Sequence, residues 1–147
     1  MLTVQRASIE NVDIIAPLFD AYRRFYKQAP DLELAQSFIA ERLEQDESVI
    51  FIAYWNNEPA GFTQLYPLFS SVSMRRAWLL NDLYVSPAFR SNGIGTALLE
   101  RAKSHGRATN AKALTLETAW DNYTAQRVYE KNGWKREQNF FYEFVLA

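Results

Sequence analysis

Residues 90–96 read Arg-Ser-Asn-Gly-Ile-Gly-Thr, shortly after a strand-forming run, Leu-Asn-Asp-Leu-Tyr-Val, at 80–85. A glycine-rich turn that opens a helix can do one kind of chemistry well: it can hold a phosphate. The first N–H groups of a helix have no intrahelical partner and point outward at the positive end of the helix dipole. Gly93 and Gly95 would let a pyrophosphate come close to those groups. Arg90 could add a charge-assisted bond, and the Thr96 hydroxyl sits on the same first turn. Ser91, Asn92 and Ile94 complete the cradle. Two familiar phosphate motifs do not fit: a Walker A loop needs Gly-Lys-Ser/Thr where this chain has Gly95-Thr96-Ala97, and a dinucleotide fingerprint needs a third glycine where it has Leu98. Such a turn can also serve only to lead a strand into a helix. The arginine ahead of Gly93 and the strand before it weigh toward the phosphate.

Composition removes several other chemistries. With no cysteine there is no disulfide framework, thiolate metal site or cysteine nucleophile, and one histidine cannot build a His-rich metal site, so no metal is expected. Lys and Arg number 16 against 17 Asp and Glu, a formal net charge of −1, which argues against nucleic acid as the partner. Hydrophobic residues at 48% and aromatics at 15% exclude disorder. The start of the chain lacks the basic-then-apolar pattern of a signal peptide, and nothing reaches about 18 consecutive apolar residues. A soluble cytoplasmic protein without membrane contact is expected. At 147 residues, one domain spanning 1–147 is expected.

The elements that must position the turn follow from periodicity. Residues 2–6 alternate as a strand. Ser8 and Asp13 bracket the start of a helix with Ile14, Ile15, Leu18, Phe19, Tyr22 and Phe25 at helical spacing, ended by Ala29-Pro30-Asp31. A second helix is predicted over 32–45. Strands at 48–55 and 60–66 flank an Asn56-Asn57-Glu58-Pro59 turn as a hairpin, and 67–73 reads as a loop. Then come a strand at 74–85, a helix at 93–109, a strand at 111–117, a helix at 122–132 and a strand at 139–146, with a minor strand at 134–136. An antiparallel meander followed by a βαβ unit predicts a mixed α/β sheet with helices on both faces.

Arg-x-x-Gly-x-Gly after a strand ending in Leu-Tyr-Val resembles a motif of the GNAT superfamily of N-acetyltransferases. Asn122, Ala125, Tyr129, Gly133 and Trp134 match that family's second half-motif, N-x-x-A-x-x-x-Y-x-x-x-G-[FW]. The resemblance implies a mostly antiparallel central sheet of 6–7 strands with about four helices. It implies acetyl-CoA as cosubstrate, its pyrophosphate on the 90–96 turn. It places backbone groups of Leu83, Tyr84 and Val85 along the pantetheine arm, like an added strand, with an N–H such as that of Val85 polarising the thioester carbonyl. Asn122, Ala125 and Lys131 match cofactor contacts, and Tyr129 takes the position of the acid that protonates the departing thiolate. An ordinary core tyrosine is the alternative for Tyr129, and Lys131 near a helix end can equally be solvated.

Transfer to an amine also needs a base. Asp82 and Asn81 lie in the strand beside the reacting centre and Glu117 ends the next strand, so a carboxylate could take the ammonium proton directly or through water. Asp82 could equally be structural. The diamine acetyltransferases resemble this chain around Leu-Asn-Asp-Leu-Tyr-Val but carry glutamate where Asn81 stands, which bears on both base and acceptor. His105, in line with Leu98 and Ala102, reads as packed or surface-lying. Tyr22, Phe25 and Tyr26 could hold an aliphatic or cationic amine, although Tyr22 and Phe25 at helical spacing also read as core. The expected activity is direct acetyl transfer to a small-molecule primary amine in a ternary complex. The alternatives are a protein or peptide acetyltransferase and a non-catalytic acyl-CoA-binding module. Apolar nearly throughout, 139–146 suggests a homodimer contact, since an exposed edge of that kind invites aggregation.

Overall fold

In the computed structural model, which describes residues 1–147, the hairpin turn is two residues long. Asn56 and Asn57 both take left-handed backbone, φ 49° and 68°, the conformation that matches the twist of paired strands. They join β2 (Val49–Trp55) to β3 (Glu58–Ser70). The chain folds as two units, Met1–Glu117 and Thr118–Ala147. The first holds a five-stranded sheet in sequence order, with β1 (Leu2–Arg6), β4 (Arg75–Val85) and β5 (Leu114–Thr115) beside the hairpin. Successive pairs from β1 to β4 are antiparallel, and β4 pairs with β5 in parallel. The helices are α1 (Val12–Phe25), α2 (Leu32–Glu44) and α3 (Ile94–Ala108). The second unit contains α4 (Tyr123–Lys131). No helix is long and apolar enough to cross a membrane.

Period-2 alternation divides the sheet between two layers. Ile50, Ile52, Phe62 and Tyr84 meet Ile15, Leu18, Phe19 and Ile39 of α1 and α2. Phe51, pointing the other way, meets α3, where its ring lies 5.7 Å from that of His105. Along β3 and β4, Leu65 pairs with Leu80 but Gln64 with Asp82, so Asn81 is an extra residue in β4. Trp78 accordingly packs on His105 of α3, while Tyr84, of the same parity, joins the α1–α2 core.

Caps end the helices where the sequence suggests. Asp31 accepts the Leu34 N–H at 3.0 Å and starts α2. Ser8 caps a short 3₁₀ turn, Ile9–Asn11, that leads into α1.

Three expectations need correction. β3 runs through Pro59 and Pro67, which read as turn and loop. β2 ends at Val49 opposite Leu65, so beyond that point β3 is paired on one side only, where a missing N–H costs little. β5 spans two residues rather than seven, because only Trp78 and Leu79 offer it a ladder. No strand forms at 134–136 or 139–146, giving five strands against the 6–7 expected. An apolar β-forming run becomes a strand only with a partner, and Thr118–Ala147 forms one helix and no ladder.

Gly61 is where β3 and β4 approach most tightly: an added Cβ would lie 2.5 Å from the Tyr84 carbonyl oxygen and 3.2 Å from Val85 Cα. Gly61→Ala should therefore lower the unfolding free energy in urea by about 1–3 kcal/mol. Gly95→Ala, where a Cβ meets nothing within 4 Å, should leave it unchanged or raised; equal losses at both positions would contradict the packing argument.

Candidate functional site

The turn after β4 is shaped by two left-handed residues, Ser91 (φ 68°) and Gly93 (φ 77°). Asn92 between them donates from Nδ2 to the Phe89 carbonyl at 2.9 Å, which fixes the turn from within. The helix ladder begins with Ala97 N–H on Gly93 O at 3.0 Å. Ile94 and Gly95 thus precede the ladder, with the dipole's positive end beside them. Ile94 is buried and anchors the turn to the core, whereas the space above Gly95 is open. Arg90 donates from Nε to the Val85 carbonyl at 3.0 Å and takes part in none of the ion pairs. Its guanidinium carbon lies 5.9 Å from the Phe25 ring centre. Donors ahead of the ladder, an unobstructed approach and a guanidinium tied at one nitrogen fit a pyrophosphate.

Upstream in β4 the Asn81 bulge turns Asp82 toward α1 and into a buried polar chain. Ser48 Oγ donates to Gln64 Oε1 at 2.8 Å, and Gln64 Nε2 donates to Asp82 Oδ2 at 2.5 Å. Asn81 Nδ2 donates to Asp82 Oδ1 at 2.9 Å. The Tyr22 hydroxyl donates to the Asn81 carbonyl at 3.4 Å and also bonds the Asp82 carboxylate. Asp82 is only 2% exposed, and burial lifts its carboxyl above the ordinary carboxylate value of 3.8; the bonds from Gln64, Asn81 and Tyr22 oppose that rise. Desolvation, helped by the Asp82 charge and opposed by Arg42, pushes the nearby Tyr66 phenol up to about 12. A carboxyl raised in this way has moved toward the range useful for general base work.

Above this chain stands an aromatic group from the end of α1. Tyr22 meets Tyr26 at 5.0 Å and Tyr84 at 6.3 Å, and Phe25 meets Tyr26 at 5.3 Å. Phe25 and Tyr26 are exposed, so the core reading holds for Tyr22 and not for Phe25. The structure thus brings Asn81, Asp82 and Tyr22 into contact, with Tyr26 one ring further out. Leu83 and Val85 alternate with buried Tyr84 along the strand end. Glu117, exposed beyond β5, joins no ion pair or hydrogen bond of this cluster. Asp31 is spent as the α2 cap. Gln64 and Ser48 escaped the sequence reading; the signal was an amide at an inward-facing position of an otherwise apolar strand.

In the second unit the spacing of the other half-motif is that of a capped helix. Asn122 Oδ1 accepts the Ala125 N–H at 3.2 Å and starts α4. At the far end, Gly133 N–H bonds Glu130 O at 3.1 Å and Trp134 N–H bonds Tyr129 O at 3.0 Å. With Gly133 at φ 89° this is a Schellman closure, which favours glycine there. The Trp134 ring lies 6.3 Å from Tyr129 and holds that side of the closure. Lys131 occupies the last turn, where it complements the dipole.

The model of the acetyltransferase (GNAT) family matches residues 15–134. An uncharacterized N-acetyltransferase of Bacillus subtilis, YhfO, is 48% identical over 139 residues, 95% of this chain and 93% of that protein. The crystal structure of a probable acetyltransferase superposes with a TM-score of 0.92 at 39% identity, covering 99% of this chain and 97% of that one. A predicted acetyltransferase from Clostridium acetobutylicum, solved with acetyl-CoA, shares the fold at a TM-score of 0.79 and 16% identity, covering 98% and 96%.

Because burial raises Asp82 in the folded chain, the folded state keeps a proton that the unfolded chain has released between the two values. The stability tied to this group is full below about 3.8 and is lost as pH rises through the folded-state value. Asp82→Asn, which does not titrate, should gain on the wild type by up to about 1.4 kcal/mol per pH unit across that interval. Urea unfolding of both proteins from pH 4 upward checks this; a pH-independent difference would contradict it.

Proposed function

We propose that this chain, which belongs to the acetyltransferase (GNAT) family, moves an acetyl group from acetyl-CoA to a small primary amine within a ternary complex. Membership makes the chain an acetyltransferase; donor and acceptor are the proposal. The observation that carries the donor is the 90–96 turn, whose left-handed Ser91 and Gly93 leave the first N–H groups of α3 ahead of the helix ladder. A structural neighbour solved with acetyl-CoA supports the same reading.

Acetyl-CoA supplies the activated acetyl group as a thioester. Transfer then asks three things of the protein. The carbonyl must be polarised, which we assign to a strand-end N–H, that of Val85. The amine must lose a proton, which we assign to Asp82, directly or through a water held among Asn81 and Tyr22. The departing thiolate must gain a proton, which we assign to the Tyr129 hydroxyl. Arg90 and the turn hold the pyrophosphate, with Asn122, Ala125 and Lys131 as further cofactor contacts. On the acceptor side, Tyr26 and Phe25 offer exposed ring faces to an alkyl ammonium, and the buried Asp82 acts on it as the base. Glu117 is a further acidic contact for the acceptor.

Thiol release from acetyl-CoA, followed across an amine panel, should depend on added amine; tight CoA binding without turnover would favour a non-catalytic acyl-CoA-binding module. Tyr129→Phe should lower kcat by about 10²-fold or more, the scale of a lost general acid, with CoA affinity by titration calorimetry nearly unchanged. Unaltered turnover would remove Tyr129 from the mechanism.

A further inference from the structure

At the C-terminal end of α3 the helix and sheet border a half-open cavity of about 450 Å³, a volume usual for small-molecule sites. It lies at the start of β4, whereas the 90–96 turn follows the end of that strand. Arg76 and Val85 are nine residues apart, on the order of 30 Å of extended chain.

The lining is basic and partly aromatic. Arg6 of β1 and Arg76 of β4 face the cavity with His105 of α3, and Asp46, between α2 and β2, is its only carboxylate. Arg6, Arg76 and the neighbouring Arg101 appear in none of the ion pairs. The Arg76 guanidinium carbon lies instead over two rings, 4.9 Å from the centre of Phe69 and 5.2 Å from that of Trp78. Contact with rings leaves the guanidinium's fork of donors uncommitted to any carboxylate, and that fork suits an oxyanion. Thr109 also lines the wall, where its hydroxyl accepts from Trp78 Nε1 at 2.9 Å and helps fix that ring.

His105 records the charge around it. Its ring lies 4.7 Å from Trp78, and its Nε2 is buried without a hydrogen-bond partner. Burial first, then Arg6, Arg101 and Arg76, hold its imidazole below the ordinary histidine value. Two unpaired arginines against one aspartate leave the cavity with a net positive charge and no bound counter-group from the protein.

We propose that this cavity is a second ligand site, distinct from the acetyl-transfer turn, that binds a small oxyanion of the carboxylate or phosphate class through Arg76 and Arg6. Because the chain has a single histidine, its imidazole signal in an NMR titration reports the cavity without ambiguity. An anion seated between the arginines offsets their field, so the His105 midpoint should rise saturably with benzoate or with inorganic phosphate, each compared with sodium chloride at equal ionic strength. The probe that acts identifies the class of anion. Arg76→Gln should weaken the response about tenfold or more, the worth of a charge-assisted bond, and Arg6→Gln provides a second variant should the first fold poorly. No response to either probe, a response equalled by chloride, or one unchanged in both variants would overturn the proposal.

Discussion

Between Leu80 and Asp82, β4 takes one residue more than β3 does to cover the same length of ladder, and the faces of the strand exchange at that point. Even-numbered residues before the bulge, such as Trp78, look toward α3, and those after it, such as Tyr84, look toward α1 and α2. Were Asn81 instead paired opposite Gln64 in a regular ladder, Asp82 would fall opposite Thr63 and point into the α3 layer. With the bulge, Asp82 meets Gln64, Asn81 and Tyr22. The close approach at Gly61 holds the same two strands together beyond the bulge, up to Val85 and the turn that follows.

The buried chain from Ser48 to Asp82 is costly to assemble and useful once assembled. A carboxylate at 2% exposure resists ionisation, and only its hydrogen bonds keep the charged form within reach. That balance separates a group able to exchange a proton from a fixed surface charge. The 90–96 turn works by the opposite means. It has no buried charge, only backbone donors that the helix itself cannot satisfy and glycine at the one position, Gly93, where φ demands it.

Much of this was legible from the sequence because it is local. Asn122 caps the helix it was expected to start, and the 90–96 turn joins the strand and helix it was expected to join. What was not legible depends on partners distant in sequence. Nothing around Asn81 marks a bulge, because a bulge is a property of two strands. Gln64 is an amide without a stated purpose in an apolar strand until Asp82 is placed opposite it. Pro67 reads as a strand breaker until β2 proves to stop at Val49. The 139–146 run has strand-forming residues, but propensity does not supply a ladder. The half-motif from Asn122 to Trp134 carries a second message as well: its asparagine and glycine are the two ends of a capped helix, so their spacing has a folding cause beside any catalytic one.

The central claim is that the first turn of α3 is where the donor's phosphates rest. Backbone amide shifts of a ¹⁵N-labelled sample, followed while CoA is added, test it most directly. The amides of Gly93, Ile94, Gly95 and Thr96 should move together, saturably, and by more than any others in Met1–Glu117. Saturable CoA binding that leaves these four amides in place would contradict it.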